Sequence, residues 1–435
     1  MNRFRIVLST LMLLFAMGAT AQEHLDLEPI MTAADPPSPE PVPRAESVFH
    51  DHTEADADAA VLIESWQTEP ASLGWTRIQI ARHIKHKAMP TRAARGLALV
   101  HVAMHDAYVR APNLPLTRRF ALSQAAADVL SYLYPAEEDA FQRIVDQLID
   151  RLGGDTPPAD ISLAQRIGRN AAQTVIARAE RDGAQRGWNG SRLQWYGDAR
   201  QYQPGTWEPT GPYFYYPPDE PFAPKWKPWI LTSPGQFRPP PPPAFGSDDY
   251  LRATEEVLAV NAALTPKQLE IAKYWVDGHG SATPSGHWNR LAMEEVKAAK
   301  LDEPTTIRLF AELNIALADA FIACWDSKYY YWTIRPTTAA KRLLGKPFTP
   351  PILTPPFPSY TSGHATFSGA ASRVLARYLP NRAKALDAMA EEAAQSRLLG
   401  GIHFRFDNDQ GLILGRNIAA WIGEQGLHPV PIDEQ

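Results

Sequence analysis

The sequence has little cysteine, no basic run and few long apolar stretches. Cys324 is the only cysteine in 435 residues, so no intramolecular disulfide can form. It lies in an apolar run at residues 315–325, and we interpret it as a small buried hydrophobic residue. The formal net charge is -5 without any stripe of lysine and arginine, which argues against nucleic-acid binding. Beyond residue 21 no apolar stretch is long enough to cross a membrane.

The first 21 residues have the order of a secretory signal peptide. Arg3 and Arg5 precede an apolar stretch at residues 6–17, and small residues follow at 19–21. We therefore expect an exported protein, periplasmic or secreted, with no membrane span after signal cleavage. A membrane anchor is the alternative, but the apolar stretch is short for a bilayer.

Proline and aromatic content divide the remaining chain into four parts. Residues 22–56 are acidic and proline-rich, as in a disordered lead. Residues 57–184 carry apolar residues at the three- and four-residue spacing of helices. Residues 185–247 are rich in proline, tryptophan and tyrosine without any period, which predicts a long irregular connection draped over the surface. Helical spacing returns in residues 248–430, the expected catalytic region, and strand patterns are nearly absent. The sequence thus predicts an all-α protein of helical bundles.

The first pattern with chemical meaning is Lys328 followed seven residues later by Arg335 and Pro336. We expect residues 328–342 to be helical at least in part. Seven residues are nearly two helical turns, so both cations would emerge from one face. Pro336 would then end or kink the helix. By itself such a pair is more often a solvated stripe than a site.

The second pattern is Ser362-Gly363-His364, which directly precedes a helical stretch expected over 362–378. Free N–H groups and the dipole at a helix start favour an anion. Gly363 permits close approach of the backbone, and the hydroxyl of Ser362 adds a donor. His364 would lie at the edge of this cradle. Taken alone, the pattern is as often a simple helix cap.

The third pattern joins Arg397, two glycines, His403 and Asp407. We expect helices over 381–397 and 409–424, with Gly400 and Gly401 breaking the chain between them. The break would bring Arg397 and His403 toward one point. Asp407 could orient the ring of His403 or cap the following helix, and the sequence favours neither.

The three patterns, K-x6-RP, SGH and SR-x5-H-x3-D, together resemble the signature of one superfamily. It joins type 2 phosphatidic acid phosphatases, bacterial class A acid phosphatases and vanadium haloperoxidases. The haloperoxidase branch is more similar, because Trp325 stands three residues before Lys328 and Phe357-Pro358 leads into the SGH pattern. Thr361 departs from the proline usual in the family. The resemblance covers about residues 303–425.

The resemblance implies a role for each residue of the pocket. His403 would bind vanadium or act as a phosphoryl nucleophile, and His364 would be the acid/base. Asp277 resembles the carboxylate that pairs with a pocket arginine. The oxygens of vanadate or phosphate would be bound by the remaining members of the signature: Lys328, Arg335, Ser362, Gly363 and Arg397.

The resemblance implies a vanadate-dependent haloperoxidase that oxidises halide with hydrogen peroxide at a vanadate bound to His403. The alternative is an exported acid phosphatase without a cofactor, which hydrolyses a phosphomonoester through a phosphohistidine intermediate. The two share their oxyanion ligands, so the sequence separates them poorly. A binding protein that only retains the pocket is a third reading, weakened because every charged member is present.

Three further patterns have plainer interpretations. A second Ser-Gly-His at residues 285–287 precedes Lys328, so it is out of order; we read it as a helix start with His287 structural or near the pocket. His101 and His105 have a spacing that can hold a metal, but no third ligand is evident and core histidines are favoured. The tyrosines at 329–331 are expected to pack in the core around the helix that carries Lys328.

Overall fold

The computed structural model describes residues 28–31, 53–184, 197, 200 and 203–428. Within these residues the fold contains fourteen α-helices and no strand, which confirms the predicted all-α class. An isolated antiparallel bridge joins Thr206 and Thr333. The predicted signal peptide and most of the acidic lead lie outside the described residues. Where the lead is described, its predicted disorder is wrong: Ile30 is buried and its N–H donates to the carboxylate of Asp106, and residues 53–56 begin the first helix. None of the described helices combines the length and apolarity needed to cross a bilayer.

Six helices form the N-terminal half. Proline occupies the first position of three of them, where its missing N–H group costs no hydrogen bond. In chain order the six are α1 (Thr53–Ser65), α2 (Ala71–Lys85), α3 (Pro90–Arg110), α4 (Pro115–Leu133), α5 (Glu138–Leu152) and α6 (Pro158–Arg181).

Eight helices form the C-terminal half. Side chains cap several of them at the start, with Thr265 and Gln268 forming a reciprocal capping box at α8. In chain order they are α7 (Asp248–Ala262), α8 (Pro266–Tyr274), α9 (Thr283–Ala299), α10 (Glu303–Tyr331), α11 (Pro336–Leu344), α12 (Gly363–Tyr378), α13 (Ala383–Leu399) and α14 (Arg405–Gln425).

Helix α10 is the central element of the fold. Most of its side chains are buried, because it packs against α3 of the first half and against α12 and α14 of the second. One continuous hydrophobic core therefore contains residues of both halves, from Leu62 of α1 to Ile418 of α14. A helix held on all sides in this way gives the side chains at its end a fixed position.

The irregular connection drapes over these helices as predicted. Over residues 203–247 its one helical piece is a short 3-10 turn, Ala223–Lys225. The carboxylate of the buried Asp319 on α10 accepts the backbone N–H groups of Trp229 at 2.6 Å, Ile230 at 2.8 Å and Leu231 at 3.0 Å. A single buried side chain thus satisfies three donors of a segment that has no regular hydrogen bonding.

The three tyrosines at the end of α10 hold the same connection. The hydroxyls of Tyr329 and Tyr331 donate to the carbonyls of Asp219 and Pro239. Tyr330 has 54% of its surface exposed, so the predicted core packing is wrong for this residue. The run lies where the connection crosses α10, and its hydroxyls need polar partners there.

The two histidines on α3 are core residues. Nε2 of His101 lies 3.3 Å from the hydroxyl of Thr76, and the ring stacks on Phe310. His105 contacts the carboxylate of Asp106 through Nδ1. No cluster of three metal-binding side chains occurs among the described residues.

Candidate oxyanion site

The ammonium group of Lys328 lies on the last turn of α10 and is fully buried. It donates to the carbonyl oxygens of Pro358 and Ser359, each at 2.9 Å, and of Thr361. Burial lowers the pKa of Lys328 to about 7, and the charge of Arg335 acts in the same direction. The three carbonyl oxygens favour the ammonium form. They also fix the loop before α12 against the end of α10.

Residues 328–331 and 336–342 are helical, as expected, but Lys328 and Arg335 do not share one continuous helix, so the predicted common face is wrong. Helix α10 ends where Trp332 adopts a left-handed conformation with φ +56°. Arg335 is instead the N-cap of α11, and Pro336 is the first residue of this helix. Proline suits that position because its N–H group has no helical partner there. The two cations still meet over the ring of Phe357, at 5.1 Å and 5.0 Å from its centre.

Two backbone carbonyls hold the guanidinium of Arg335, and one of its three nitrogens has no hydrogen-bond partner. Nε donates to Phe357 at 2.9 Å, and Nη1 donates to Ile402 at 2.8 Å and to Nε2 of His403 at 3.0 Å. Nη2 is buried without a hydrogen-bond partner. Burial lowers the pKa of this arginine to about 9, so the group is charged at neutral pH.

Asp407 both orients His403 and caps α14, which joins the two alternatives left open by the sequence. Its Oδ2 accepts from Nδ1 of His403 at 2.8 Å and from the N–H of Phe404 at 3.2 Å. The same oxygen accepts the hydroxyl of Ser359 at 2.6 Å. Sequence reasoning missed Ser359, although it lies between Phe357 and Tyr360 in a motif already singled out. Burial raises the pKa of Asp407 to about 6.

The contact with Asp407 fixes the tautomer of His403. A carboxylate only accepts, so Nδ1 carries the proton and Nε2 keeps a lone pair. Burial, together with the charges of Arg335, Lys328 and Arg397, lowers the pKa of His403 well below its ordinary value. A neutral imidazole with a lone pair on Nε2 is the form that binds a metal or attacks phosphorus, and here that lone pair accepts only the Nη1–H of Arg335.

The start of α12 contributes the predicted cradle. Ser362 is the N-cap, its Oγ lies 3.5 Å from the N–H of Ala365, and its own N–H donates to the carbonyl of Asp407. Gly363 begins the helix, where N–H groups have no partner within it. A Cβ at Gly363 would meet Phe367 at 3.8 Å, an ordinary contact. Any need for glycine here would therefore come from a bound ligand rather than from the protein.

Arg397 adds a third buried cation from the last turn of α13. Its Nε donates to the hydroxyl of Ser396 at 2.9 Å, and Nη2 donates to the carbonyl of Ala272 at 3.2 Å. Burial lowers its pKa to about 10, and the charge of Asp277 opposes this. Gly401 follows with φ +69°, the predicted break that turns the chain toward His403.

Asp277 lies between two histidines at the edge of the site. Its two oxygens lie 3.1 Å and 3.0 Å from Nδ1 of His287, and Oδ2 lies 3.8 Å from Nε2 of His364. The predicted pairing of Asp277 with a pocket arginine is not seen as a direct contact. Asp277 acts on Arg397 only as a nearby negative charge, which raises the pKa of that arginine. His287 belongs to the second Ser-Gly-His pattern, which starts α9 as expected.

The imidazole of His364 has one unpartnered nitrogen. Nε2 is buried without a hydrogen bond, while the ring makes a hydrogen bond with the backbone of Trp275. Burial, and next the charge of Arg397, lower the pKa of His364 well below its ordinary value. The ring is therefore neutral at neutral pH and has a nitrogen available for a proton.

The donor set fits a tetrahedral oxyanion. The positive charge and the unpartnered Nη2 donor of Arg335 call for an acceptor, since a buried polar group without a partner costs about 1–3 kcal/mol. The unpartnered Nε2 of the neutral His364 can instead accept a hydrogen bond from a protonated oxygen of the ligand. Eight predicted residues converge here, with Asp277 reaching the site through His364: Lys328, Arg335, Ser362, Gly363, His364, Arg397, His403 and Asp407.

Known proteins are similar in sequence to the part of the chain that carries the three patterns. The PAP2 superfamily matches residues 309–425. A vanadium chloroperoxidase of Curvularia inaequalis is 23% identical over 376 residues, which are 67% of this chain and 62% of that protein. The chain thus covers less than two thirds of that relative's length.

Solved structures show the same fold. A bacterial vanadium-dependent iodoperoxidase superposes with a TM-score of 0.70 at 25% identity, covering 90% of this chain and 100% of that one. Residues 309–425 thus match the PAP2 superfamily, and the chain is similar to that superfamily's haloperoxidase branch. A bacterial vanadium-dependent chloroperoxidase, with a TM-score of 0.60 at 18% identity, covers 78% of this chain and shares its fold.

Proposed function

We propose that this protein is a vanadate-dependent haloperoxidase, which oxidises halide with hydrogen peroxide. One observation carries the proposal: the lone pair of His403 Nε2 lies among three buried cations, beside an arginine nitrogen that has no partner. Such a site neutralises an oxyanion and offers its central atom one nitrogen ligand. The haloperoxidase relatives support vanadate as that oxyanion.

Each group of residues has a distinct task toward vanadate. Arg335 would offer Nη2 to an oxygen, and the N–H groups and hydroxyl at the start of α12 would bind others. Lys328 and Arg397 would balance the negative charge, and His403 would bind the vanadium through Nε2. Bound vanadate would supply a Lewis acid that activates peroxide without changing its own oxidation state.

His364 is the residue placed to move protons at this site. Its unpartnered Nε2 is neutral at neutral pH, so it can take a proton from a bound oxygen and return it. The carboxylate of Asp277 at 3.8 Å would stabilise the protonated ring. We propose His364 as the acid/base on this geometry.

Aromatic rings form one apolar wall of the site, beside Lys328. Trp325 and Phe357 lie 4.9 Å apart, and Phe321 packs on Trp325 at 4.0 Å. The ammonium group of Lys328 lies 5.7 Å and 5.1 Å from the first two rings. Beside such a wall, the buried cations act on a bound anion at a lower dielectric constant than that of water and therefore more strongly.

A paired assay tests the proposal. The purified protein is given vanadate, peroxide and, in turn, chloride, bromide and iodide with a halogen acceptor; separately it is given an aryl phosphate without vanadate. We expect vanadate-dependent halogenation, absent in His403→Ala and retained in His428→Ala, which changes an exposed histidine. Phosphate turnover without any halogenation would overturn the proposal and favour the phosphatase alternative.

We also propose that the protein is exported, on the signal-like order of its first 21 residues. The mature protein would begin at Gln22 and occur in the periplasm or the medium. N-terminal sequencing of each cell fraction tests this. Recovery from the cytoplasm with Met1 intact would contradict it.

A further inference from the structure

We propose that His287 and Asp277 carry protons between a surface cleft and the acid/base His364. The inference deepens the function proposed above, because it adds the route by which a buried imidazole exchanges protons with solvent. Neither residue contacts the oxyanion itself in this assignment, and His287 was expected only to be structural or near the pocket.

The three side chains lie in a row, with a hydrogen bond between the first two and a longer gap between the second and the third. Nδ1 of His287 lies 3.0 Å from Oδ2 of Asp277, and that oxygen lies 3.8 Å from the unpartnered Nε2 of His364. The acidic group thus lies between two imidazoles. Its backbone has φ +43°, an unfavourable conformation for a residue other than glycine, and such strain concentrates at functional sites.

Aromatic neighbours hold His287 in the orientation that this contact needs. The ring of Trp275 stacks on it at 4.5 Å with an interplanar angle of 25°, and Tyr274 meets it edge-on at 4.9 Å. The packing restricts rotation of the imidazole. Because Nδ1 is committed to Asp277, the remaining nitrogen is the one left for exchange.

The outer end of the line opens on solvent. His287 and Asp277 line a surface cleft of about 680 Å³, whose wall continues along α2 and α9 with Ile80 and Arg290. The side chains of His287 and His364 retain 12% and 17% of their accessible surface, but Nε2 of His364 is itself buried. Water in the cleft can therefore reach the ring of His287, whereas the nitrogen of His364 that faces Asp277 is closed to it.

The proposed reaction needs a supply of protons from solvent. Halide and peroxide form hypohalous acid and water only if one proton is consumed in each turnover. His287 accepts this proton from water at Nε2 and passes its Nδ1 proton to Asp277. The protonated carboxyl then passes one to Nε2 of His364, when side-chain motion closes their 3.8 Å gap to hydrogen-bond length. His287 is left as its other neutral tautomer, and proton exchange with cleft water restores the first. Only protons move, and no bond between heavy atoms changes.

Two variants separate a relay from a structural role. His287→Ala removes the ring, whereas His287→Asn retains an N–H donor near the position of Nδ1 but lacks a second nitrogen. In both we expect kcat to fall by about tenfold or more, as for other proton-transfer groups, while vanadate affinity stays within about twofold. Added imidazole should restore turnover in His287→Ala. His428→Ala provides the matched control on the surface.

A second readout does not depend on catalysis. In protein labelled with ¹⁵N at histidine and free of vanadate, protonation and deprotonation of Nε2 of His364, followed by the broadening of its ¹⁵N signal, should slow by about tenfold in both variants. Imidazole should speed it again in His287→Ala. Unchanged exchange and turnover, or no response to imidazole, would overturn the relay. Absence of halogenation by the unaltered protein would instead refute the proposed function, with the exchange rates still deciding the relay.

Discussion

Oδ2 of Asp407 accepts a hydrogen bond from Nδ1 of His403 at 2.8 Å, and this hydrogen bond places the lone pair of Nε2 against Arg335. The histidine is thereby fixed in both orientation and tautomer before any ligand binds. A residue prepared in this way loses little conformational freedom on binding. The relationship connects a cap on α14 with the chemistry of the pocket.

Asp407→Asn should weaken vanadate binding by about 10- to 100-fold, as loss of a group that orients a ligand commonly does. The amide can present an N–H group to Nδ1 and thereby favour the wrong tautomer. Equilibrium dialysis against vanadate measures the change. Asp409→Asn, at an exposed position on the same helix, should bind like the unaltered protein. Equal affinity in the two variants would show that Asp407 serves only as a cap.

Arg335→Lys should raise the Kd for vanadate by about tenfold or more, because lysine cannot reproduce a planar fork held by two carbonyls. The free Nη2 donor would be lost together with the contact to His403. Calorimetric titration with vanadate, and with phosphate in parallel, checks this. Arg342→Lys alters an exposed arginine of the same helix that pairs with Glu208 and should leave both affinities unchanged.

Asp319→Ala should destabilise the fold by about 3 kcal/mol or more, since three N–H groups would lose their acceptor at about 1–3 kcal/mol each. The loss should appear in urea unfolding and as faster proteolysis within residues 203–247. Asp150→Ala, on the exposed face of α5, is the matched control. A normal unfolding midpoint in Asp319→Ala would mean that the connection is held elsewhere.

Acid should destabilise the protein through two buried histidines. Burial lowers the pKa of His83 and of His101 to about 3, below that of the unfolded chain near 6.5. Their contribution is therefore present above pH 6.5 and is lost as the pH falls toward 3, at about 1.4 kcal/mol per pH unit for each. Urea unfolding at several pH values measures the slope. The double variant His83→Gln/His101→Gln should show a shallower slope; an unchanged slope would contradict this.

The sequence predicted which residues form the site better than it predicted the helices and turns that carry them. The order of the three patterns identified residues that converge. Each pattern lies at the end or the start of a helix, and the ends of these helices meet at the site. The helical face expected to carry both Lys328 and Arg335 was wrong, since seven-residue spacing does not reveal that Trp332 takes a left-handed conformation and ends α10. Pro336 begins a helix for the same reason that it could have ended one: it lacks an N–H group.

Contacts between distant segments were the part that spacing could not predict. Asp277 was assigned to a pocket arginine, yet the structure places its oxygens against His287 and His364. Ser359 reaches Asp407 from 48 residues away, and neither residue type signals this pairing. Such contacts depend on how the loop before α12 folds over α10, which the carbonyl contacts of Lys328 determine.

The central claim is that Nε2 of His403 binds the vanadium of a vanadate held by the three buried cations. X-ray absorption at the vanadium edge, on protein loaded with vanadate, tests it most directly. The account predicts the multiple-scattering signature of one imidazole ligand in the unaltered protein and its loss in His403→Ala. A first shell of oxygen alone in the unaltered protein, or an imidazole signature that survives in His403→Ala, would contradict it.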